Sequence, residues 1–557
     1  DGLNEGIGDG WCDEENNNAG CLYDGGDCCP CTCVPGMTYE CGTNGYSCLS
    51  SGVSDREGDV CPDTITSCDG DVEREWAVED TSGALQLAEA LQCAGGLFNV
   101  EWSGSVVMSR TLSISNGTIL TVVGIDADAA IVGDGTVGLF SVTGATLHLQ
   151  NITLMNGSAS YGGAVSASRS RLIFSEVSFV GNSASDGGGG ALYVSDGAVL
   201  SFVGTSSFDN NTAPYGGALY AAYGSSAVWG GKTSFSFNGA FAPACYGFDG
   251  PYVPISQTTT GSTSTSSCED DVIASGYGGA LYLTNSSSAV WTSTSHFVYN
   301  HADIDGGAIF VAQGSSMVWA AESHFLGNRA NEDGGAVFME RSSTAWTAAA
   351  KFSENIAGYD GGALYVTDGS SADWIALSSF LENTAGSDGG AVFAATNGTL
   401  TWGKNALFAG NFATNGGAFF FSNGAKVVWG GETHFASNVA GLDGGAIASR
   451  ALDSELTTSE LGAVSVVNDE GSYLYVQDTL SFTNNSCGAN GGAMALVQSL
   501  TVTFDSRNIT FSNNTARISG GAIFLAGTGI GVVFQNVTFV GNSAQTGGAV
   551  YATGSGT

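Results

Sequence analysis

Lysine, arginine, histidine and long apolar runs are scarce in this sequence. Its 557 residues include only 14 Lys plus Arg against 53 Asp plus Glu, which gives a formal net charge of −39. Such an acidic chain is a poor partner for nucleic acid and for anionic membrane surfaces, whereas cations and neutral or glycan surfaces remain as partners. No run of about 18 apolar residues is present to cross a bilayer. No basic and apolar leader follows Asp1, as expected if a secretory signal has been removed.

Cysteine is concentrated at one end of the chain, because ten of the 14 cysteines precede residue 70. This pattern predicts disulfides formed in an oxidising compartment, and therefore a secreted or cell-surface protein. A zinc site is the weaker alternative, since only five histidines are present and none lies near the cluster. We expect Cys245 and Cys268 to form a disulfide around a Ser/Thr tract that carries O-glycans. Cys93 and Cys487 have no evident mates.

The cysteine-rich head begins with a motif of its own, "IGDGWCDEENNNAGCLYDGGDCC" at residues 7–29. It resembles the Lin-12/Notch repeat, a small calcium-binding module held by disulfides, over roughly residues 4–33, and we assign residues 1–34 to this module. The resemblance implies that Asn17, Asp24 and Asp27 hold Ca²⁺, which prefers such oxygen ligands. Asn16 stands where the family has a cysteine, so the family's three-bridge connectivity cannot be transferred. An acidic turn locked by disulfides without an ion is the alternative, and residues 35–80 form a cysteine-rich region of unassigned fold.

The rest of the sequence is a repeat with a period of 27 to 29 residues, interrupted by insertions at about 239–275 and 448–470. Two motifs mark each unit, a Phe-x-x-Asn and then a Gly-Gly-Ala, as in "FLENTAGSDGGAVF" at residues 380–393. A fixed period of this size predicts a solenoid. Identical residues of successive turns would stack at about 4.8 Å through parallel backbone ladders. The Phe would then fill the interior, the Asn would form an amide ladder, and the glycines would permit a sharp corner.

Both motifs resemble the GGA-I and FxxN repeats of the chlamydial polymorphic outer-membrane proteins and related β-helical surface proteins. The resemblance implies an all-β, right-handed parallel β-helix over residues 81–557. At its start, "TSGALQLAEALQCAGG" (81–96) predicts a capping helix with Ser82 as N-cap and glycines at its end. Leu85, Leu87, Ala88 and Leu91 would form its apolar stripe.

Tryptophan recurs once per turn, and two interpretations compete for it. An exposed column would be a platform for sugars, whereas a buried column would be part of the core. The residues directly before the tryptophans include Asp373 and Thr401, which prefer water, and those two positions before include Ala372 and Leu400. Strand alternation therefore favours the buried column. Its members are Trp229, Trp291, Trp319, Trp346, Trp374, Trp402 and Trp429.

Aspartate also recurs, directly before the glycine pair, at Asp305, Asp333, Asp360, Asp388 and Asp443. Adjacent carboxylates about 5 Å apart repel by roughly 1 kcal/mol even in water, so something must offset the repulsion. Donation from turn amides is the favoured explanation, and calcium bridging between turns is the alternative.

No catalytic cluster is evident, and we expect the protein not to be an enzyme. Pectate lyases and polygalacturonases share the β-helix, but their sites need clustered Asp with Arg or Lys. Here Arg329, Arg341, Lys351 and Lys404 are scattered. His296, His324 and His434 each precede a core Phe and are expected to be solvated outer positions.

We therefore expect a secreted structural or adhesive β-solenoid, a glycosylated subunit of an extracellular fibre, cell wall or surface layer. Carbohydrate binding or polysaccharide processing is the alternative function. Self-assembly is expected because "GGAVYATGSGT" stops part-way through a turn without a cap; a missing C-terminal segment would also explain that edge. N-glycans are predicted at the Asn-x-Ser/Thr sites Asn116, Asn151, Asn156, Asn210, Asn285, Asn397, Asn484, Asn508, Asn513 and Asn536.

Overall fold

A computed structural model of the chain describes residues 73–92, 96–241, 276–450, 472–497, 501–504, 508–527, 531–533 and 536–554. Over these residues the chain is a parallel β-solenoid of about 15 turns. Most turns contribute strands to three sheets, and the strands pair in parallel with their equivalents in neighbouring turns. The prediction of an all-β parallel solenoid is confirmed.

The first sheet has two strands in most turns, and they form two adjacent ladders that join where a turn carries one ten-residue strand. Its strands are Glu73–Val78, Leu97–Trp102, Ser105–Met108, Ile119–Gly124, Ala130–Gly133, Thr146–Met155, Arg171–Val180, Val199–Phe202, Ser206–Asp209, Ser226–Trp229, Thr233–Ser236, Ser288–Trp291, Ser295–Val298, Ser316–Trp319, Ser323–Leu326, Ser343–Trp346, Ala350–Ser353, Ser371–Trp374, Ser378–Leu381, Thr399–Trp402, Ala406–Ala409, Lys426–Trp429, Thr433–Ala436, Tyr473–Val476, Leu480–Thr483, Thr501–Phe504, Ile509–Ser512, Gly531–Val533 and Val537–Val540.

The second sheet follows the Gly-Gly-Ala corner and has one strand in each turn. Its strands are Leu112–Ser115, Phe140–Thr143, Val165–Ser168, Leu192–Ser195, Leu219–Ala221, Leu281–Leu283, Ile309–Ala312, Val337–Glu340, Leu364–Thr367, Val392–Ala394, Phe419–Phe421, Ile447–Ser449, Met494–Val497, Ile523–Ala526 and Val550–Thr553.

The third sheet is narrow, with two-residue strands between the Asn of Phe-x-x-Asn and the glycine corner. Its strands are Ser158–Ala159, Ser183–Ala184, Thr212–Ala213, Gly239–Ala240, His301–Ala302, Arg329–Ala330, Ile356–Ala357, Thr384–Ala385, Phe412–Ala413, Val439–Ala440, Ser486–Cys487 and Thr515–Ala516. Its inward position is a small residue in every turn, which is Cys487 in one turn and alanine in its neighbours.

Aromatic columns fill the interior, as the sequence predicts. The Phe of the Phe-x-x-Asn motif stacks on its equivalent in the next turn, with ring centroids 4.6 Å apart for Phe325 and Phe352. The tryptophans are buried and stacked along the neighbouring ladder, as in Trp374 and Trp402 at 4.5 Å. The buried interpretation of the tryptophan column is therefore confirmed, and this column offers no platform to a sugar.

The asparagines form a buried amide ladder beside the phenylalanines. The Asn383 side-chain amide donates to Asn411 Oδ1 at 3.0 Å and to the Phe352 carbonyl at 3.1 Å, and the Asn383 backbone N–H donates to the same Asn411 oxygen at 3.0 Å. Asn383 Oδ1 accepts the equivalent pair of bonds from Asn355. Each turn thus donates to the next in one direction, and the buried polar groups of this corner are satisfied.

The glycine pair has two separate steric reasons. The first glycine has a positive φ, which is +66° at Gly389 and favours a residue without Cβ. The second lacks room, because a Cβ at Gly390 would lie 2.1 Å from the Gly417 carbonyl oxygen of the next turn. The corner therefore accepts glycine at both positions.

A short helix, Thr81–Ala90, packs its buried face on the start of the core, as expected for a cap. Its N-cap is Asp80, whose carboxylate accepts from the Gly83 N–H at 2.8 Å, so the prediction of Ser82 was wrong. Leu85, predicted in the apolar stripe, is 37 % exposed.

The helix is not the first element of the sheet region, because the strand Glu73–Val78 precedes it and pairs with Leu97–Trp102. The sheet thus starts earlier than the predicted boundary at residue 81. Among the described residues, no helix has the length and apolarity that a membrane span requires.

Candidate functional site

The aspartate column lies at the glycine corner and is largely buried. Asp305 Oδ1 accepts the Asp333 backbone N–H at 3.0 Å, Asp333 Oδ1 accepts that of Asp360 at 2.9 Å, and Asp360 Oδ1 accepts that of Asp388 at 2.9 Å. Each carboxyl therefore accepts from the backbone of the next turn. These contacts agree with the favoured explanation, in which backbone amides of the turns donate to the carboxylates.

Burial changes the titration of this column. It raises the pKa of Asp305 to about 7 and that of Asp333 to about 6, while the accepted backbone N–H groups act in the opposite direction. Burial, and then the charges of Asp388 and Asp333, raises the pKa of Asp360 to about 8. Protonation thus removes part of the repulsion between turns at neutral pH. No group of three or more His, Cys, Asp or Glu in the described ranges is arranged to hold a metal ion.

One cation approaches the far end of the column. The Arg450 guanidinium donates to Asp388 Oδ2 at 3.2 Å and lies over the Phe420 ring at 5.7 Å from its centroid. Asp388 is only 3 % exposed. Asn415 Nδ2 donates to Asp388 Oδ1 at 2.7 Å. This acid–base pair joins residues 62 apart in the chain, and sequence spacing gave no sign of it.

Outward side chains of the second sheet form a further aromatic column beside these acids. Rings stack from turn to turn, as in Phe338 and Tyr365 at 4.8 Å and Phe393 and Phe420 at 5.4 Å. Phe393 and Phe420 are fully buried although they point away from the main core. The apolar outer positions of this sheet thus have cover at these residues.

A different surface combines exposed aromatic, cationic and anionic groups, and we call it the outer strip. It comprises the outward residues of the strands Thr233–Ser236, Ser295–Val298, Ser323–Leu326, Ala350–Ser353 and Ser378–Leu381, with the single turn residue that follows each strand. The five strands are neighbours in one ladder. Outward residues of the same register therefore form columns along the solenoid.

One column of the outer strip consists of Ser234, His296, His324, Lys351 and Ser379, which pair in register. The rings of His296 and His324 stack with centroids 4.8 Å apart. Burial, then His324, lowers the pKa of His296, which favours a neutral imidazole at pH 7. The register places His296, His324 and His434 in one outer column, with Lys351, Ser379 and Leu407 between His324 and His434.

A second column consists of the turn residues Phe237, Tyr299, Gly327, Glu354 and Glu382. All five have positive φ, between +52° and +62°. Their backbone N–H groups donate to the next turn, as from Phe237 to Val298 and from Tyr299 to Leu326. This conformation suits glycine or asparagine and strains bulkier residues.

Phe237 and Tyr299 are the unusual members of this column, since they are 57 % and 48 % exposed. Their rings stack with centroids 5.6 Å apart and planes inclined by 24°. The Tyr299 ring reaches over the next turn, because a Cβ at Gly327 would lie 2.3 Å from Tyr299 Cε1. The sequence reasoning missed this pair. The sequence does contain a signal for it: an aromatic residue directly precedes the ladder Asn in these two units, whereas several other units have Gly or Asn at that position.

Two shallow cavities run along the outer strip and meet at Lys351. The first, of about 430 Å³, is lined by His296, Val298, His324, Leu326, Lys351, Ser353, Glu354, Leu381 and Glu382. The second, of about 350 Å³, continues past Ser379 and Leu407 to His434. His324 Nε2 lies 3.1 Å from Glu322 Oε1, and His434 Nε2 lies 3.2 Å from Glu432 Oε1.

The predicted calcium ligands Asn17, Asp24 and Asp27 and the predicted disulfide cysteines Cys245 and Cys268 lie outside the described residues. Cys487 is a free, buried cysteine within the described ranges. Burial raises the pKa of its thiol to about 12.

The ten predicted glycosylation sites all fall on described residues, and none is a member of the buried amide ladder. Asn285 is half-buried and the other nine are exposed. Nine of the ten, all except Asn508, have a positive φ, a conformation that asparagine tolerates better than most residues. The backbone alone therefore accounts for asparagine at these positions, and their glycosylation stays a prediction.

The family model of the Chlamydia polymorphic membrane protein repeat matches the chain at residues 176–195, 205–222, 508–526 and 536–553. Each segment carries a Phe-x-x-Asn motif, the glycine corner and the strand of the second sheet that follows it. The outer strip lies between the matched segments. No curated protein and no solved structure shows significant similarity to the chain. The chain is thus a parallel β-solenoid that carries Chlamydia polymorphic membrane protein repeats.

Proposed function

We propose that the protein is a structural or adhesive component of a cell surface or extracellular layer. The observation that carries this proposal is the division of the turn into a closed interior and a variable exterior. Stacked Phe and Trp rings and the amide ladder occupy the interior, and the two cavities of the outer strip lie on the outside of the turns. Contacts with partners therefore belong to the outer face of a rigid scaffold.

The matched repeats support the surface location. They bear the name of a membrane protein family, and the repeats resemble those of β-helical surface proteins. Solenoids present extended surfaces on which several neighbouring turns contact one partner. An adhesive protein needs such a surface and no chemistry, in agreement with the fold.

Catalysis is not part of the proposal, although one acid–base cluster deserves comparison with β-helix enzymes. Asp360, Asp388 and Arg450 lie together, but Asp388 is almost fully enclosed and the aromatic column packs beside it. Its carboxyl oxygens are occupied by Asn415 and Arg450. We infer that this cluster stabilises the corner.

Antibodies against the purified chain test the location. They are expected to label unpermeabilised source cells or their extracellular layer. Labelling that requires permeabilisation would contradict the proposal. For the adhesive role, beads coated with the chain are expected to bind those surfaces more than beads coated with heat-unfolded chain, and equal binding would count against it.

We also propose that some of the ten Asn-x-Ser/Thr sites carry glycans, because nine are exposed. Intact mass before and after enzymatic deglycosylation decides this, and an unshifted mass contradicts it. Assembly into a fibre stays a prediction. Sedimentation at increasing concentration tests it, and a protein that remains monomeric with and without calcium would refute it.

Carbohydrate binding is the second candidate function, and a specific observation favours it. The outer strip brings imidazoles, an amine and carboxylates together on one shallow cavity, and it also carries the exposed rings of Phe237 and Tyr299. Such a combination is typical of surfaces that bind polar ligands with apolar faces.

A further inference from the structure

We propose that the outer strip binds a linear neutral polysaccharide, with the sugar chain lying along the solenoid axis. Phe237 and Tyr299 would pack on the apolar faces of sugar rings. His296, His324 and Lys351 would hydrogen-bond to the sugar hydroxyls. This inference deepens the adhesive role proposed above by naming a site and a class of ligand.

Backbone strain at the aromatic pair is the first argument. Phe237 and Tyr299 have φ values of +54° and +52°. In the same column, Gly181, Gly327, Gly410 and Gly541 are glycines with positive φ. A glycine would satisfy the corner without strain, so the architecture of the turn does not account for two consecutive aromatic residues. Strained and exposed residues of this kind concentrate at binding sites.

The second argument is the exposure and placement of the pair. Both rings remain about half exposed although buried stacks exist elsewhere in the same turns. Tyr299 extends over Gly327, and the residues that directly precede these two, Val298 and Leu326, line the 430 Å³ cavity. The aromatic pair therefore adjoins the polar cavity, and an extended ligand can contact both.

The third argument, periodicity, selects a linear polymer. Equivalent positions repeat once per turn, at the strand spacing of about 4.8 Å. Donors and acceptors thus recur along a straight line at His296, His324 and Lys351, with Glu354 and Glu382 on one side. A chain of repeating sugar units matches such a row better than a compact ligand does.

Charge selects a neutral polymer over an acidic one. The chain has a formal net charge of −39, and Glu354 and Glu382 line the cavity. His296 has a lowered pKa and contributes a neutral imidazole at pH 7. A polyanion would be repelled by Glu354, Glu382 and the net negative charge of the chain, whereas neutral hydroxyl groups can both donate to carboxylates and accept from Lys351.

The test is affinity electrophoresis of the full chain in native gels that contain one soluble polymer each. Hydroxyethyl cellulose, laminarin and galactomannan are the neutral probes, and polygalacturonate is the acidic one. At least one neutral polymer is expected to retard the protein. Retardation by polygalacturonate alone, or by no polymer, overturns the proposal. Either result leaves the surface-labelling experiment unaffected, so the two proposals fail separately.

The double variant Phe237→Gly with Tyr299→Gly locates the site. It is expected to fold, because glycine occupies this corner in other turns, and to bind the retarding polymer at least tenfold more weakly. Tyr223→Gly is the matched control, since Tyr223 is 58 % exposed with φ of +53° at a different corner. It should bind normally. Undiminished binding by the double variant overturns the proposal.

A second variant guards against misfolding of the first. Lys351→Ser introduces the side chain that Ser379 has in the next turn. It is expected to weaken binding at least threefold without changing the unfolding temperature. Unchanged binding by this variant would exclude the cavity from the site.

Discussion

Replacement of Asp360 by Asn is expected to stabilise the solenoid at alkaline pH and to have little effect near pH 4. Asp360 lies in the buried aspartate column, where its carboxyl accepts the Asp388 backbone N–H. Burial, then the charges of Asp388 and Asp333, raises its pKa from 3.8 to about 8. The folded protein thus binds a proton that the unfolded chain releases.

The difference between the folded and unfolded pKa of Asp360 determines the sign and size of the expected change in stability. Stability from the protonated Asp360 is fully present below the unfolded pKa of 3.8 and is lost as the pH rises through about 8. One pKa unit corresponds to about 1.4 kcal/mol, so the shift from 3.8 to about 8 sets an upper limit of about 6 kcal/mol at pH 9. We expect the free energy of unfolding of the Asn variant at pH 9 to exceed that of the natural chain by roughly 2 to 5 kcal/mol. Its Oδ1 keeps the bond from Asp388, and Asn415 and Asn490 already occupy this column in other turns.

Thermal unfolding followed by circular dichroism between pH 4 and pH 9 measures the effect. The unfolding temperature of the variant minus that of the natural chain should increase steadily with pH. Asp368→Asn is the control, because Asp368 is an exposed carboxylate of the same turn and asparagine tolerates its φ of +52°. A difference that does not change with pH, or a variant less stable at pH 9, would refute the assigned burial effect.

Three further predictions concern the interior. Asn383→Ala should destabilise the solenoid by about 2 to 4 kcal/mol in thermal unfolding, because it leaves the Asn355 donors and the Phe352 carbonyl unpaired; an effect as small as that of a surface substitution would contradict the ladder. Trp402→Phe should lower the free energy of unfolding by about 1 kcal/mol more than Trp374→Phe does. The Trp402 indole donates to the buried Ser378 hydroxyl at 3.1 Å, whereas the Trp374 indole has no hydrogen-bond partner among the described residues. Equal losses of stability in the two variants would contradict this. Burial raises the pKa of the Cys487 thiol to about 12, so iodoacetamide at pH 8 should alkylate this cysteine only after unfolding, as mass spectrometry of its peptide would show; labelling of the folded chain would refute the burial.

Period and alternation were enough to predict the scaffold. Asp373 and Thr401 directly precede two of the tryptophans, and the residue two positions before a tryptophan is apolar in six of the seven turns. The inward direction of the column could therefore be assigned before the structure. The same reasoning placed the ladder asparagines, because stacking of identical turns forces equivalent residues into contact. The first residue of the capping helix was harder to predict. Asp80 and Ser82 are both good N-cap residues, and only the bond from Gly83 to Asp80 distinguishes them.

The candidate site could not be predicted to the same degree, for two physical reasons. Exposure of Phe237 and Tyr299 depends on φ at a corner where the sequence usually has small or polar residues, and propensity alone does not reveal strain. The Arg450 contact with Asp388 depends on how many turns separate the two residues after the chain has wound. Neither property is local in sequence.

The corners of this solenoid also have a consequence for how such a chain can change over generations. Trp229 stacks on Trp291 at 4.4 Å, and Asn238 donates to Asn300 at 3.0 Å, although residues 242–275 are inserted between the turns that they belong to. The same is true of Asn438 and Asn485 across residues 451–471. The ladders therefore accept a new segment at a corner without a shift in register. Gene segments that encode whole turns or corner insertions can be gained or lost while the spacing of all other turns is preserved, so such a protein can acquire new outward parts on an unchanged solenoid scaffold.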